Sequence, residues 1–202
     1  MKIARILYPI HALGPGKRLC IWVCGCERRC FRCANPELQY ADPEKEIDLQ
    51  LLLDLITPQL READGITISG GEPFDQVEEL SQLVDAVRVY TQDILIFTGY
   101  TRTALEKRND FATNHVLESI AVLIDGEYID EQNNGETLRG SSNQQIHYLS
   151  EKFRESYKPY LQADRIVQNV ATSSGVFSIG IHNRGFVSEL RESILDRIQN
   201  RK

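Results

Sequence analysis

Apolar positions recur along this chain with two periods, and the switch between them lays out a series of strand and helix units. Leu19-Cys20-Ile21-Trp22-Val23 is an unbroken apolar run of strand length, set behind the turn chemistry of Gly14-Pro15-Gly16-Lys17-Arg18. Leu49, Leu52, Leu53, Ile56 and Leu60 then repeat at helical spacing, with Asp48 placed to cap the first turn. Pro58 predicts a kink or an early end to that helix. Gly65-Ile66-Thr67-Ile68-Ser69 reads as a strand, and Val77, Leu80, Leu83, Val84 and Val87 as the apolar face of a second helix. The plan repeats once more. Ile94-Leu95-Ile96-Phe97-Thr98 is a strand, Gly99-Tyr100 a turn, residues 101–108 a short helix, residues 114–119 helix-like, and residues 121–124 a strand ending at Asp125-Gly126.

Strands alternating with helices in this way predict an α/β fold, with a mainly parallel sheet and helices on its outer face. Ligands of such sheets sit at the carboxyl ends of the strands. Four loops meet that condition here: the segment after Val23, Gly70-Gly71-Glu72-Pro73, Thr98-Gly99-Tyr100 and Asp125-Gly126. They are expected to converge on one site.

From about residue 150 the pattern changes. Residues 167–171 and 176–181 read as paired strands around Thr172-Ser173-Ser174-Gly175, followed by a helix with Val187, Leu190, Ile194, Leu195 and Ile198 on one face. The division drawn is a core domain over residues 1–150 and a small α+β extension over residues 151–202 packed on it. Charge supports the division: residues 150–202 hold nine Lys and Arg against six Asp and Glu, whereas the preceding residues hold fourteen against twenty-three. The net charge of −6 argues against a global role in binding nucleic acid. The N-terminus has no apolar signal region and no later run approaches membrane-spanning length, so the expectation is a cytoplasmic protein without a membrane partner.

All five cysteines lie between positions 20 and 33, which favours a metal site in a reducing compartment over a disulfide framework. Cys26, Cys30 and Cys33 have the spacing C-x3-C-x2-C. Thiolate is the soft ligand that iron in cubane clusters prefers, and three thiolates leave one of four irons open for chemistry. Ferredoxin runs and zinc knuckles instead close the coordination sphere. Cys20 and Cys24 read as small buried side chains and Trp22 as core. His11, His115, His147 and His182 show no mutual metal spacing; His147 alone has a positional argument for the site, since it follows the polar stretch over residues 139–144.

Beyond the cysteines, Gly14-Pro15-Gly16-Lys17-Arg18, Gly25-Cys26, Asn35-Pro36, Ser69-Gly70-Gly71-Glu72-Pro73, Thr98-Gly99-Tyr100, Asp125-Gly126 and Arg139-Gly140-Ser141-Ser142-Asn143-Gln144 follow in order. In these motifs the chain resembles the radical S-adenosylmethionine family, and within it the glycyl-radical activases that serve anaerobic ribonucleotide reductases. The resemblance covers roughly residues 5–150. It implies a partial (β/α) barrel and a 4Fe-4S cluster held by Cys26, Cys30 and Cys33. It also implies reductive cleavage of S-adenosylmethionine to a 5′-deoxyadenosyl radical, which abstracts hydrogen from a glycine of a large partner enzyme. Carried over residue by residue, Arg32, Cys33 and Ala34 lie along the adenine side of the cofactor. Arg32 stands where many members have an aromatic ring, and its guanidinium plane can also stack. Gly70 and Gly71 let the backbone approach the methionine amino group, Glu72 offers that ammonium a carboxylate, and Thr98 hydrogen-bonds the ribose or carboxylate. The expected electron donor is a small protein such as flavodoxin or ferredoxin.

Two other readings stand beside this one. The same cofactor chemistry directed at a peptide, nucleoside or other small substrate is motivated by the extension beyond residue 150. An iron-sulfur electron carrier or structural metal module would bind no S-adenosylmethionine and leaves Gly70-Gly71-Glu72-Pro73 without a purpose.

Overall fold

The computed structural model describes residues 1–172, 175–186, 188–190 and 192. Its main sheet has six strands in sequence order: β1 (Ile3–Ile10), β2 (Arg18–Val23), β3 (Gly65–Gly70), β4 (Ile94–Phe97), β5 (Val122–Asp125) and β6 (Gln145–Tyr148). The four central strands run parallel, and β1 and β6 add antiparallel at the two edges, so the sheet is open. Crossovers between the parallel strands carry α1 (Leu49–Leu60), α2 (Val77–Val87), and the pair α3 (Arg102–Glu106) and α4 (Phe111–Ser119). Downstream of β6, α5 (Arg154–Gln162) precedes a separate antiparallel pair, β7 (Gln168–Thr172) and β8 (Gly175–Ile179).

The period of two within each central strand divides its side chains between the two faces. Leu19, Ile21, Ile66, Ile68, Ile94, Ile96 and Leu123 meet the apolar stripes of α1, α2 and α4. On the opposite face, Cys20 and Trp22 pack with Ile10, Leu13, Leu38 and Ile179, while Leu95, Val122 and Ile124 pack with Tyr157 of α5. Residues after 150 therefore cover the face that the helices of the core leave bare. Cys20 and Cys24 are each 1% exposed.

Asp48 caps α1 as expected, accepting hydrogen bonds from the backbone N–H groups of Gln50 and Leu51. Pro58 does not stop the helix, which runs on to Leu60; it stands in the last turn, where few bonds remain to be lost. The pattern of apolar residues did not reveal β1, β6 or α5. The predicted pairing of β7 with β8 is present, whereas Val187, Ile194, Leu195 and Ile198 lie outside the described residues. Leu190 has helical backbone and is 46% exposed. Among the described residues no helix is long and apolar enough to cross a membrane.

Candidate functional site

At Val23 the chain leaves the sheet and enters the cysteine loop. Gly25 donates its N–H to Leu38 O at 2.9 Å and Cys26 to Gln39 O at 3.0 Å, which closes residues 25–39 into a loop tied at its base. Inside it, Arg29 and Arg32 both take a left-handed φ of 54°. That conformation is uncommon for residues with a Cβ and turns the chain sharply beside each of the last two cysteines. The Asn35 N–H lies 3.4 Å from Cys33 Sγ. Burial pushes the Cys26 and Cys30 thiols up, opposed by backbone N–H groups of Arg28 and Arg29 at Cys26 and of Tyr128 at Cys30. Such amide donors favour the thiolate, the form that binds iron.

The glycine loop at the end of β3 packs directly on this exit. Gly71 donates to Val23 O and Glu72 to Gly25 O, each at 2.8 Å. A Cβ on Gly71 would stand 2.2 Å from Gly25 O, and one on Gly70, where φ is 113°, 2.3 Å from Val23 O. Within the protein itself, then, the glycines are required by the close approach of two backbone segments.

Glu72 is 1% exposed and joins this loop to the next. Its Oε1 accepts from Phe74 N at 3.0 Å and Thr98 Oγ1 at 2.8 Å, and its Oε2 from Gly99 N at 2.7 Å. Burial raises its pKa to about 7 in spite of these three donors. Thr98 N bonds Ile124 O and Gly126 N bonds Tyr100 O, both at 2.9 Å, so the series extends to the end of β5. The four loops expected to converge are thus linked one to the next by hydrogen bonds.

Together they line a cavity of about 540 Å³ that contains every site residue expected from the sequence: Cys26, Cys30, Cys33, Arg32, Ala34, Gly70, Gly71, Glu72 and Thr98. Sequence reasoning missed three other contributors. Tyr128 and Asp130 form one side of the cavity, and residues 178–186 form another. Asp130 Oδ2 accepts from Arg32 Nη1 at 2.9 Å and Arg184 Nε at 3.1 Å, and its Oδ1 from Tyr128 Oη at 3.0 Å. Burial disfavours ionisation of Asp130, but the Arg32 and Tyr128 hydrogen bonds and the two arginine charges outweigh it and hold the carboxyl below its ordinary range. No local motif marks Asp130; only the fold brings residues 32, 130 and 184 together.

His182 also lines this cavity, 2.8 Å from Ser178 Oγ, with its pKa lowered by burial and by the Arg165 charge. His147 belongs to a second, polar cavity of about 620 Å³, which shares Arg28, Gly99 and Gly126 with the first. Its Nε2 lies 3.0 Å from Asp125 Oδ2, at an angle that makes no hydrogen bond. His115 pairs on the surface with Asp85.

Residues 12–147 match the family described as 4Fe-4S single cluster domain. The chain belongs to that family. It is 32% identical over 152 residues to the anaerobic ribonucleoside-triphosphate reductase-activating protein of Escherichia coli strain K12, covering 70% of this chain and 96% of the relative. Against the protein of the same name from Vibrio cholerae serotype O1 it is 33% identical over 150 residues, 69% of this chain and 94% of the relative. A putative glycyl-radical enzyme activating enzyme of Haemophilus influenzae is 32% identical over 95 residues, 43% of this chain and 36% of that protein. The iron-sulfur family expected from the cysteine spacing and the downstream motifs is therefore the family of this chain.

The residues present fit a 4Fe-4S cluster. Among the described residues no three His, Cys, Asp or Glu side chains sit closely enough to share one ion, whereas a cubane offers a separate iron to each thiolate. Three half-buried thiols line one cavity, and the Asn35 N–H is directed at the Cys33 sulfur. Hydrogen bonds to sulfur and partial burial are the means by which a protein sets a cluster's potential.

Proposed function

We propose that the chain is a radical S-adenosylmethionine activase that installs a glycyl radical on a partner enzyme, an anaerobic ribonucleotide reductase. The observation that supports this reading most is the convergence of Cys26, Cys30 and Cys33 with Gly70, Gly71, Glu72 and Thr98 on one cavity. Cys26, Cys30 and Cys33 would hold the cluster, and three thiolate ligands would leave one of its four irons free to take the cofactor. When bound, the cluster and S-adenosylmethionine supply one-electron cleavage chemistry whose outcome is a radical on a glycine of the partner. The chain's own part is to hold and orient. The backbone of Gly70 and Gly71 takes the amino end of the cofactor, Arg32 and Ala34 lie along its adenine, Thr98 faces its ribose or carboxylate, and the buried Glu72 fixes these loops against one another while offering its carboxylate to the ammonium. The sheet, curved as a partial (β/α) barrel, carries all four loops at one end. The electron comes from a small donor protein, flavodoxin or ferredoxin, in a reducing cytoplasm.

Cys30→Ala tests the ligand set. Anaerobically reconstituted, this variant should bind less iron and lose S-adenosylmethionine cleavage with it; cleavage at the wild-type rate would overturn the assignment. A second reading, in which the same chemistry acts on a small substrate, has one observation in its favour, that residues beyond 150 line the cavity. An electron paramagnetic resonance signal of a glycyl radical on the reductase, lost when the reductase glycine is replaced, decides for the first reading. No signal on any candidate partner enzyme, with S-adenosylmethionine still cleaved, favours the second.

A further inference from the structure

The cavity has a wall that belongs to none of the strand-end loops. Residues 178–186 run along it, well past residue 147, where the family match ends. This stretch is fastened at both ends. At the start, Ile179 is 3% exposed among Ile10, Leu13, Trp22 and Leu38. Gly180 follows at a φ of 137°, so close to the segment leading into β7 that a Cβ there would lie 2.5 Å from Ile166 O. In the middle, Asn133 Nδ2 and Arg165 Nη1 both donate to His182 O, at 3.0 and 3.1 Å. Near the end, Arg184 reaches Asp130.

Asp130 makes this more than a docked tail. The oxygen that accepts from Arg184 also accepts from Arg32, the residue between Cys30 and Cys33 whose backbone is held at positive φ. One carboxylate, 5% exposed, therefore ties the cysteine loop to the wall. A buried carboxylate that loses a cationic partner is left under-compensated, so the two contacts support each other.

We propose that residues 178–186 form a wall shielding the cluster cavity from solutes, and that Asp130 is the positioning residue that clamps the wall to the cysteine loop through Arg184 and Arg32. The proposal rests on the reading of Cys26, Cys30 and Cys33 as cluster ligands. Radical chemistry requires that water and stray hydrogen donors be kept out, and a wall carried by the chain itself does this before any partner arrives. What the wall leaves open then determines which substrate reaches the cofactor.

The test measures access. In the reconstituted protein, a water-soluble iron chelator should strip the cluster about two- to fivefold faster from Arg184→Ala than from wild type, the size expected when a half-exposed ion pair is removed from a local opening equilibrium. Asp130→Asn, nearly isosteric, should do at least as much. In the Asp130→Asn background, Arg184→Ala should add nothing, because both act through one clamp. Lys158→Ala, which removes an exposed pair with Glu155 on α5, should change nothing. The same variants in the apoprotein should speed maleimide labelling of Cys26, Cys30 and Cys33, while Cys20 and Cys24 stay protected. The labelling arm still judges the wall should the chain bind no iron, so failure of the cluster reading and failure of the wall are separate results. Wild-type stripping and labelling rates in Arg184→Ala, or additive effects in the double variant, would overturn the proposal.

Discussion

Glu72 shows how far one side chain's surroundings set its chemistry. It lies at the convergence of three loops with almost no exposure, and burial lifts its pKa from an ordinary 4.5 to about 7. The unfolded chain releases that proton near pH 4.5 while the folded protein keeps it until about pH 7, so between these values the folded state binds more protons and stability falls as pH rises. The loss between pH 5 and pH 8 is about 2–3 kcal/mol. Glu72→Gln removes the titration, and its amide cannot accept from the Gly99 N–H, a cost that does not vary with pH. The melting temperature of the wild-type apoprotein should therefore exceed that of Glu72→Gln by more at pH 5 than at pH 8, the gap narrowing by about 5–10 °C. A constant gap would mean that the carboxyl titrates as it does in water. The same residue illustrates what a motif hides. Glu72 was legible as a site residue from its place after Gly70-Gly71, but its hydrogen bonds to Thr98 and Gly99 depend on β3 and β4 lying side by side, which no local pattern states.

At the scale of elements, the fixed point is the start of β2. Arg18 is completely buried, donates to Thr67 Oγ1 at 2.6 Å and Ile66 O at 2.6 Å, and pairs with Asp93 at 3.0 Å, while Tyr157 Oη donates to Asp93 Oδ1 at 2.7 Å. One guanidinium so joins β2, β3, the entry to β4 and α5. Burial lifts the Tyr157 pKa well above 10, against the pull of the Arg18 charge, which keeps the phenol protonated and able to donate. Tyr157→Phe should cost about 1.5–3 kcal/mol, as for a hydrogen bond to a charged group. Arg18→Met, which leaves Asp93 without its cation, should cost about 3–5 kcal/mol. Urea unfolding distinguishes the two, and a Tyr157→Phe midpoint equal to wild type would remove α5 from the network. This network also explains which elements could be read. β2, β4 and β5 are largely buried and written as near-continuous apolar runs, β3 alternates Ile66 and Ile68 with Thr67 and Ser69, and α1 and α2 carry a helical stripe behind them. β1 and β6 are antiparallel edges: β1 is mostly half-buried and contains Pro9, and β6 reads Gln-Ile-His-Tyr. α5 contains Pro159 and docks through a tyrosine instead of an aliphatic stripe. Edges and tertiary docking are where period alone fails.

Across the whole molecule, the cysteines and strand-end loops expected to meet do meet, because a parallel sheet delivers consecutive strand ends to the same side. What was not legible is that residues 178–186 line that site, since the contacts of Asp130 with Arg32 and Arg184 span 98 and 54 residues. The packing that brings them there has a cost if it is taken away. β7 and β8 bury Ile179 and cover Ile10, Leu13, Trp22 and Leu38, with Val170, Phe177 and Ile181 packed at the margin. Arg165 ties the approach to β7 to the carbonyls of Glu136 and Arg139. A chain ended after residue 162 keeps α5 and the Arg18 network but exposes this apolar face. Burial of one large aliphatic side chain is worth about 1.5–3 kcal/mol, so with the partly buried neighbours the truncated protein should lose about 3 kcal/mol or more. Its urea midpoint should fall and it should bind a hydrophobic dye that the full chain excludes. An unchanged midpoint without dye binding would show that the sheet face is satisfied without the extension, and that residues beyond 162 serve the cavity alone.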